Sequence, residues 1–139
     1  MKKLLFTITV LAMTVTMNAQ GNDGVTLTVI IENVLNDEGH VLSALHNEQT
    51  FMKADGIKTS HDKAEAGELI LTFEHVQPGD YAFSVLHDAN DNQRMDFENN
   101  GMPKEDYAMS GNSMQMGPPT FSDAKFSIAN EDMEIKLRF

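Results

Sequence analysis

ELILTFEHVQPGDYAFSVLH, residues 68 to 87, decides the fold class of this chain. Glu68 to Glu74 and Asp80 to His87 both alternate apolar and polar residues. Tyr81, Phe83, Val85 and His87 fall in phase in the second run. A period of two is the mark of a half-buried strand, because successive side chains leave a strand on opposite faces. Pro78 and Gly79 fit a tight turn between the runs, since proline presets its own φ and glycine tolerates positive φ. Tyr81, just past that turn, is expected to pack its ring and to tie the turn down with its hydroxyl.

Other segments repeat the pattern. VTLTVIIE, residues 25 to 32, sets Val25, Leu27, Val29 and Ile31 on one face. NDEG at 36 to 39 supplies turn chemistry, so His40 to His46 is expected to pair with the first strand as a hairpin or to lie close beside it. Residues 47 to 66 lose the period and read as a long surface excursion, with Phe51, Met52 and Ile57 tucking back onto the core. Lys125 to Ile128 and Met133 to Phe139 supply the last strands. No stretch carries a helical period. Six or seven short strands without crossover helices predict an all-β fold, a single antiparallel β-sandwich of about seven strands, immunoglobulin-like or transthyretin-like, with one long loop from Asp88 to Phe121. Loops of that length are usually functional or disordered.

The first residues read differently. Lys2 and Lys3, the apolar run from Leu4 to Val15 and the small or polar residues to Ala19 have the layout of a secretory signal peptide. The expected organisation is a signal peptide over 1–19, an N-terminal linker over 20–26 and the β-sandwich domain over 27–139. The apolar run is short for a spanning helix, so the expectation is an exported protein, periplasmic or extracellular, without membrane insertion. The 139 residues include no cysteine, which removes disulfides from the account of stability. Ten basic residues against 21 acidic give a net charge of −11, and loss of Lys2 and Lys3 makes it more negative still. Such a balance argues against nucleic acid and anionic membrane surfaces and favours cations or basic partners, though it also serves simply to keep an exported protein soluble.

The long loop carries the chemistry. HDANDNQRMD, residues 87 to 96, places oxygen donors at positions 1, 3, 5 and 9 as Asp88, Asn90, Asn92 and Asp96, counting from Asp88. This is the order used by calcium loops, where alternate residues of a tight turn point short side chains at a hard cation. Position 6, normally glycine, is Gln93; position 12, normally a bidentate glutamate, is Asn99, with Glu98 one residue early. Without flanking helices an EF-hand is not expected. Calcium bound by Asp88, Asn90, Asn92 and Asp96, with Glu98 as a weaker ligand and Asp91 as a further carboxylate, stands against an Asx-rich turn that bonds to its own backbone.

Other readings stay open. His87 in phase with the core is expected to be a hydrogen-bonded histidine anchoring the loop; as a ligand it would favour zinc or copper. Met102, Met109, Met114 and Met116 cluster in the loop, and thioethers suit Cu(I), which makes periplasmic copper handling the alternative cofactor reading. Methionine also fills irregular gaps in cores. No GxSxG, HExxH or CxxC motif is present, Ser84 and His87 have no triad spacing, and Glu105 and Asp106 read as a solvated edge, so catalysis, for example by an uncharacterised hydrolase, is the weakest class.

The run HDANDNQRMDFENNGMPKEDYAMSGN, preceded by PGDYAFSVLHD and followed by GPPTFSDAKFSI, resembles the bacterial family called domain of unknown function 2141, small exported proteins without an established activity. The resemblance runs from about Leu27 to Phe139. It is most specific at His87-Asp88-x-Asn90-x-Asn92-x-x-x-Asp96, at Gly101-x-Pro103-x-Glu105-x-Tyr107 and at Gly117-Pro118-Pro119. Family members usually carry glycine after the residue matching Asn92 and an aromatic near Met109, where this chain has Gln93 and methionine. The resemblance implies a β-sandwich of the bacterial envelope and no activity. The loop after the PGDY turn is also similar to that of calcium-bearing sandwich repeats of surface adhesins, an analogy of fold alone. The resulting expectation is a non-enzymatic binding or structural module. It would present Tyr107 and the segment around Pro118 to an envelope protein, a peptide or a glycan; nothing in the residues ranks these or sets the oligomeric state.

Overall fold

The computed structural model describes residues 23–111 and 118–139. The expected signal peptide, most of the expected linker, Met114, Met116 and Gly117 lie outside the described residues. The chain is all-β with two sheets. Eight strands run β1 (Val25–Val34), β2 (His40–His46), β3 (Lys58–Lys63), β4 (Gly67–Val76), β5 (Gly79–Asp88), β6 (Tyr107–Met109), β7 (Phe126–Ile128) and β8 (Met133–Arg138), one more than the seven expected. A four-residue helix, α1 (Phe121–Ala124), is capped by the Thr120 side chain.

The first sheet has the order β4-β1-β8 and the second β3-β2-β5-β6, with β7 on the same edge of β5 as β6. Three sequence expectations are corrected here. β1 and β2 do not pair: β4 and β8 occupy both edges of β1, and β2 lies between β3 and β5 in the other sheet. The sheets are not wholly antiparallel, since β8 runs parallel to β1 from Leu27↔Met133 to Glu32↔Arg138. The segment 47–66 is not all surface excursion, because its end forms β3. KTSHDK buries no residue fully and is held by its ladder to β2, so hydrophobic period could not reveal it.

The turn at Pro78 takes the chain from one sheet to the other. Gly79 does not hold a positive φ, so the glycine's conformational freedom is not what makes the turn; the nearby positive φ, 57° at His75, lies within β4 where its register with β1 shifts. The Tyr81 hydroxyl donates to the Gln77 carbonyl at 2.8 Å, closing the corner from inside the core. Phe51 is buried as expected, in a small cluster with Ala82 and Ala124, whereas Met52 and Ile57 are exposed.

One hydrophobic cluster takes residues from both sheets: Leu27, Val29 and Ile31 of β1 and Leu71 and Phe73 of β4 meet Val41 and Leu45 of β2 and Phe83 and Val85 of β5. The Phe73 and Phe83 rings join the sheets edge to face, 5.4 Å between centroids. Full burial of a side chain of this size contributes about 1.5–3 kcal/mol, which is how a chain without disulfides is held. Among the described residues no helix is long and apolar enough to cross a membrane.

Candidate functional site

β5 ends at Asp88, and two features seat this end of the strand. His87 is buried and bonds through Nε2 to the Glu38 carbonyl at 2.8 Å, with its ring stacked on Phe139, so it anchors the 36–39 turn. Gly39 then passes so close to Asp88 that a Cβ there would collide with the Asp88 backbone oxygen. The β1–β2 turn and the start of the loop are thereby clamped together.

The loop is built on Asp88, whose side chain is fully buried. Its Oδ1 accepts from the Asn92 backbone N–H at 3.1 Å and its Oδ2 from that of Gln93 at 2.7 Å. The chain turns back through two left-handed residues, Asp91 at φ 58° and Gln93 at φ 61°. This brings Asn90 and Asn92 onto one oxygen of Asp96: their Nδ2 groups donate to Asp96 Oδ2 at 2.6 and 2.7 Å. The hydrogen bond from Asn90 is the chief cause holding the Asp96 carboxyl below its usual range; desolvation opposes it, and Asn92, Arg94 and Lys104 add to the lowering.

The side chains of Asn90, Asn92 and Asp96 are therefore brought together, and Asp88 joins the same turn through the N–H groups of Asn92 and Gln93. Glu98 does not join them. It is exposed, its backbone closes a turn with Met102 and Gly101, and its carboxylate has no bond to the other four. Glu105, not Glu98, lies against Asp96. Its Oε2 accepts from the Asp96 backbone N–H at 3.2 Å, and its Oε1 is buried without a hydrogen-bond partner. Sequence reasoning set Glu105 aside as a solvated edge because it lies nine residues beyond Asp96. The return is made by the ladder from Asp96 to Lys104 and the bridge between Phe97 and Pro103, which no periodicity announces.

Two further features were missed. His40 of β2 and His61 of β3 have ring centroids 4.3 Å apart, and Asp91 reaches His40 Nδ1 at 2.6 Å. Among the described residues these three form the one group of histidine and carboxylate ligand atoms all within 4.8 Å of one another. The signal was weak in sequence, since 21 residues separate the histidines and the strand carrying the second was read as loop. On the same outer face, Leu42, Ala44, Leu86, Tyr107 and Met109 line a largely apolar cavity of about 360 Å³, with Met95 of the loop at its border. Tyr107 stands opposite Leu86 on β6.

The remaining candidates separate. Met109 packs against the Phe51 cluster while Met102 is exposed. Ser84 meets His46 rather than His87, at 3.2 Å, and the second nitrogen of His46 faces the Thr50 hydroxyl, not a carboxylate. Burial lowers the His46 pKa from its ordinary 6.5, with Thr50 and Asp55 opposing the shift.

The class so defined is a two-sheet β protein carrying a polar, internally bonded loop at one sheet end. The chain belongs to the family DUF2141, uncharacterized protein conserved in bacteria, whose model matches residues 29–136. No curated protein and no solved structure matches it.

Proposed function

We propose that this protein is an exported, non-enzymatic β-sandwich of the bacterial envelope whose loop from Asp88 binds calcium and serves as a binding or structural module. The two sheets that share one apolar cluster support the sandwich, and the charged, apolar, then small-residue leader supports export. The observation that carries the calcium reading is the gathering of the Asn90 and Asn92 side chains on Asp96, in a turn that Asp88 holds through its backbone, together with the buried, unpartnered Oε1 of Glu105, whose Oε2 accepts from the Asp96 N–H. Hard oxygen donors and one orphaned carboxylate oxygen fit a cation of calcium's kind. Rotation of the Asn90 and Asn92 amides would turn Oδ1 inward in place of Nδ2, in exchange for the bonds these oxygens accept from the Asn92 and Arg94 N–H groups, and Glu105 would take the part of the late acidic ligand, in place of Glu98.

With so few carboxylates the affinity falls in the weak extracellular range, about 10⁻⁴–10⁻³ M. At about 10 mM calcium, binding then stabilises the fold by about 1–3 kcal/mol. Calorimetric melts of the metal-stripped protein, with calcium, magnesium or zinc, test this. A calcium-selective rise in Tm that Asp88→Ala and Glu105→Gln both abolish supports the site; melts indifferent to calcium reduce the loop to a hydrogen-bonded turn. Copper handling by the methionine-rich segment is the alternative, tested by Cu(I) titration under reducing conditions.

A further inference from the structure

We infer that His40, His61 and Asp91 form a second, separate metal site, on the outer face of the five-stranded sheet, that takes a borderline divalent cation such as zinc. The donor set comes from three different elements. His40 faces outward from β2, whose inward positions are Val41, Ser43 and Leu45. β3 pairs with β2 so that His40 stands opposite Lys63 and Leu42 opposite His61. His61 is therefore the diagonal same-face neighbour of His40, within reach of a long or aromatic side chain, and the rings lie 4.3 Å apart with planes inclined at 54°. Asp91 arrives from the loop, swung over the end of β2 by its own left-handed backbone at φ 58°.

Neither imidazole is a packing residue. His61 and Asp91 are exposed and His40 is about one-third exposed, so a cation has access to all three. The other three of the five histidines differ: His46 and His87 are buried, and His75 lies at the far end of β4 with its Nδ1 on the Asp23 carbonyl. Two neutral imidazole nitrogens and one carboxylate oxygen suit zinc, with room for water or an outside ligand at the fourth position. They do not suit calcium, which takes oxygen ligands. The Asp91 to His40 bond serves the site whether Asp91 coordinates directly or holds His40 so that its other nitrogen does. The acidic surface draws cations to it.

This site does not depend on the calcium reading, since the proposed calcium ligands Asp88, Asn90, Asn92, Asp96 and Glu105 leave out Asp91, whose side chain turns to His40 instead, and zinc is titrated without calcium. The two are adjacent, however: Asp91 lies between Asn90 and Asn92, so a loop ordered by calcium holds Asp91 ready and would tighten zinc binding.

The test is isothermal titration of Zn²⁺ into the calcium-free protein, with the imidazole C–H signals followed by NMR. The expected result is one equivalent of zinc that shifts the signals of His40 and His61 and not that of His75. His61→Ala, on an exposed edge strand, should abolish binding with the metal-free Tm unchanged, and Asp91→Asn should weaken it at least tenfold. His75→Ala should leave it intact. Absence of zinc binding, or zinc binding that survives both His40→Ala and His61→Ala, overturns the site. If zinc binding is instead lost in Asp96→Asn while His61→Ala keeps it, the metal sits in the oxygen loop and the inference is likewise wrong. A calcium response of Tm without any zinc response would leave the calcium loop standing and sink this site alone.

Discussion

β1 and the loop that follows β5 are held by opposite means. In β1, Leu27, Val29 and Ile31 are fully buried and both strand edges are paired, so its place is set by apolar area removed from water. From Asp88 to Glu105 most side chains are exposed, and the backbone is held by Asp88, Asn90, Asn92 and Glu105 accepting from neighbouring N–H groups. An apolar strand has one good state. A loop held by carboxylates and amides has donors and acceptors that a cation can recruit, which is why the candidate chemistry gathers there.

The comparison breaks first at its apolar side. Phe83→Ala should cost about 3–5 kcal/mol by loss of buried volume between the sheets, measured by denaturant unfolding followed by circular dichroism. Saturating calcium should not repair the loss, because the cavity lies inside the core and not in the loop. Asp88→Ala should cost about 2–4 kcal/mol, since two backbone N–H groups lose a carboxylate partner. Its signature is different, with the calcium-dependent part of Tm gone as well. A calcium response preserved in Asp88→Ala would show that the loop's cation reading is wrong while leaving the hydrogen-bond account intact.

Ser110 tests a polar contact inside the apolar region. It is buried, its Oγ accepts from the Phe83 N–H at 2.7 Å and donates to the Ala124 carbonyl at 2.6 Å, and so it fills the gap between β6 and β7 along β5. Ser110→Ala should cost about 1–3 kcal/mol by orphaning both groups, read as a drop in Tm. Gln93→Gly works in the other direction. Gln93 holds φ 61°, a left-handed backbone that costs a residue with a Cβ about 1–2 kcal/mol, so glycine should raise Tm slightly and tighten calcium binding; a lowered Tm would show that the loop's backbone is not under that strain.

The smallest effect is the response to acid. Burial depresses the His46 pKa below 6.5, so the unfolded chain takes up a proton that the folded chain resists. The stability this gives is whole above about 6.5 and declines as pH falls from there through the folded pKa. Asp96, held low by Asn90, adds a second decline only below its ordinary 3.8. Melts between pH 7 and 5 should show a Tm loss that His46→Gln removes, and Asp96→Asn should leave that interval unchanged.

Much of the strand content was legible because burial on one face leaves a period of two in the residues, as it does in β1, β5 and β8. The same rule missed β3, an edge strand with neither face buried. It was also silent about pairing, since an apolar face states which side is buried but not which strand lies alongside; β1 lost its expected partner β2 for this reason. The Asp and Asn residues of the loop were found by spacing, because a tight turn relates residues two apart.

The amino-acid sequence by itself determined that the chain is β, that its charge is acidic, and that Asp88, Asn90, Asn92 and Asp96 share a turn, since these depend on neighbours a few residues apart. Only the tertiary structure decided that Glu105 lies against Asp96, and that His40 and His61 meet Asp91. Those contacts are made by strand ladders and a loop return between residues up to 51 positions apart, and nothing in local spacing records which ladder forms.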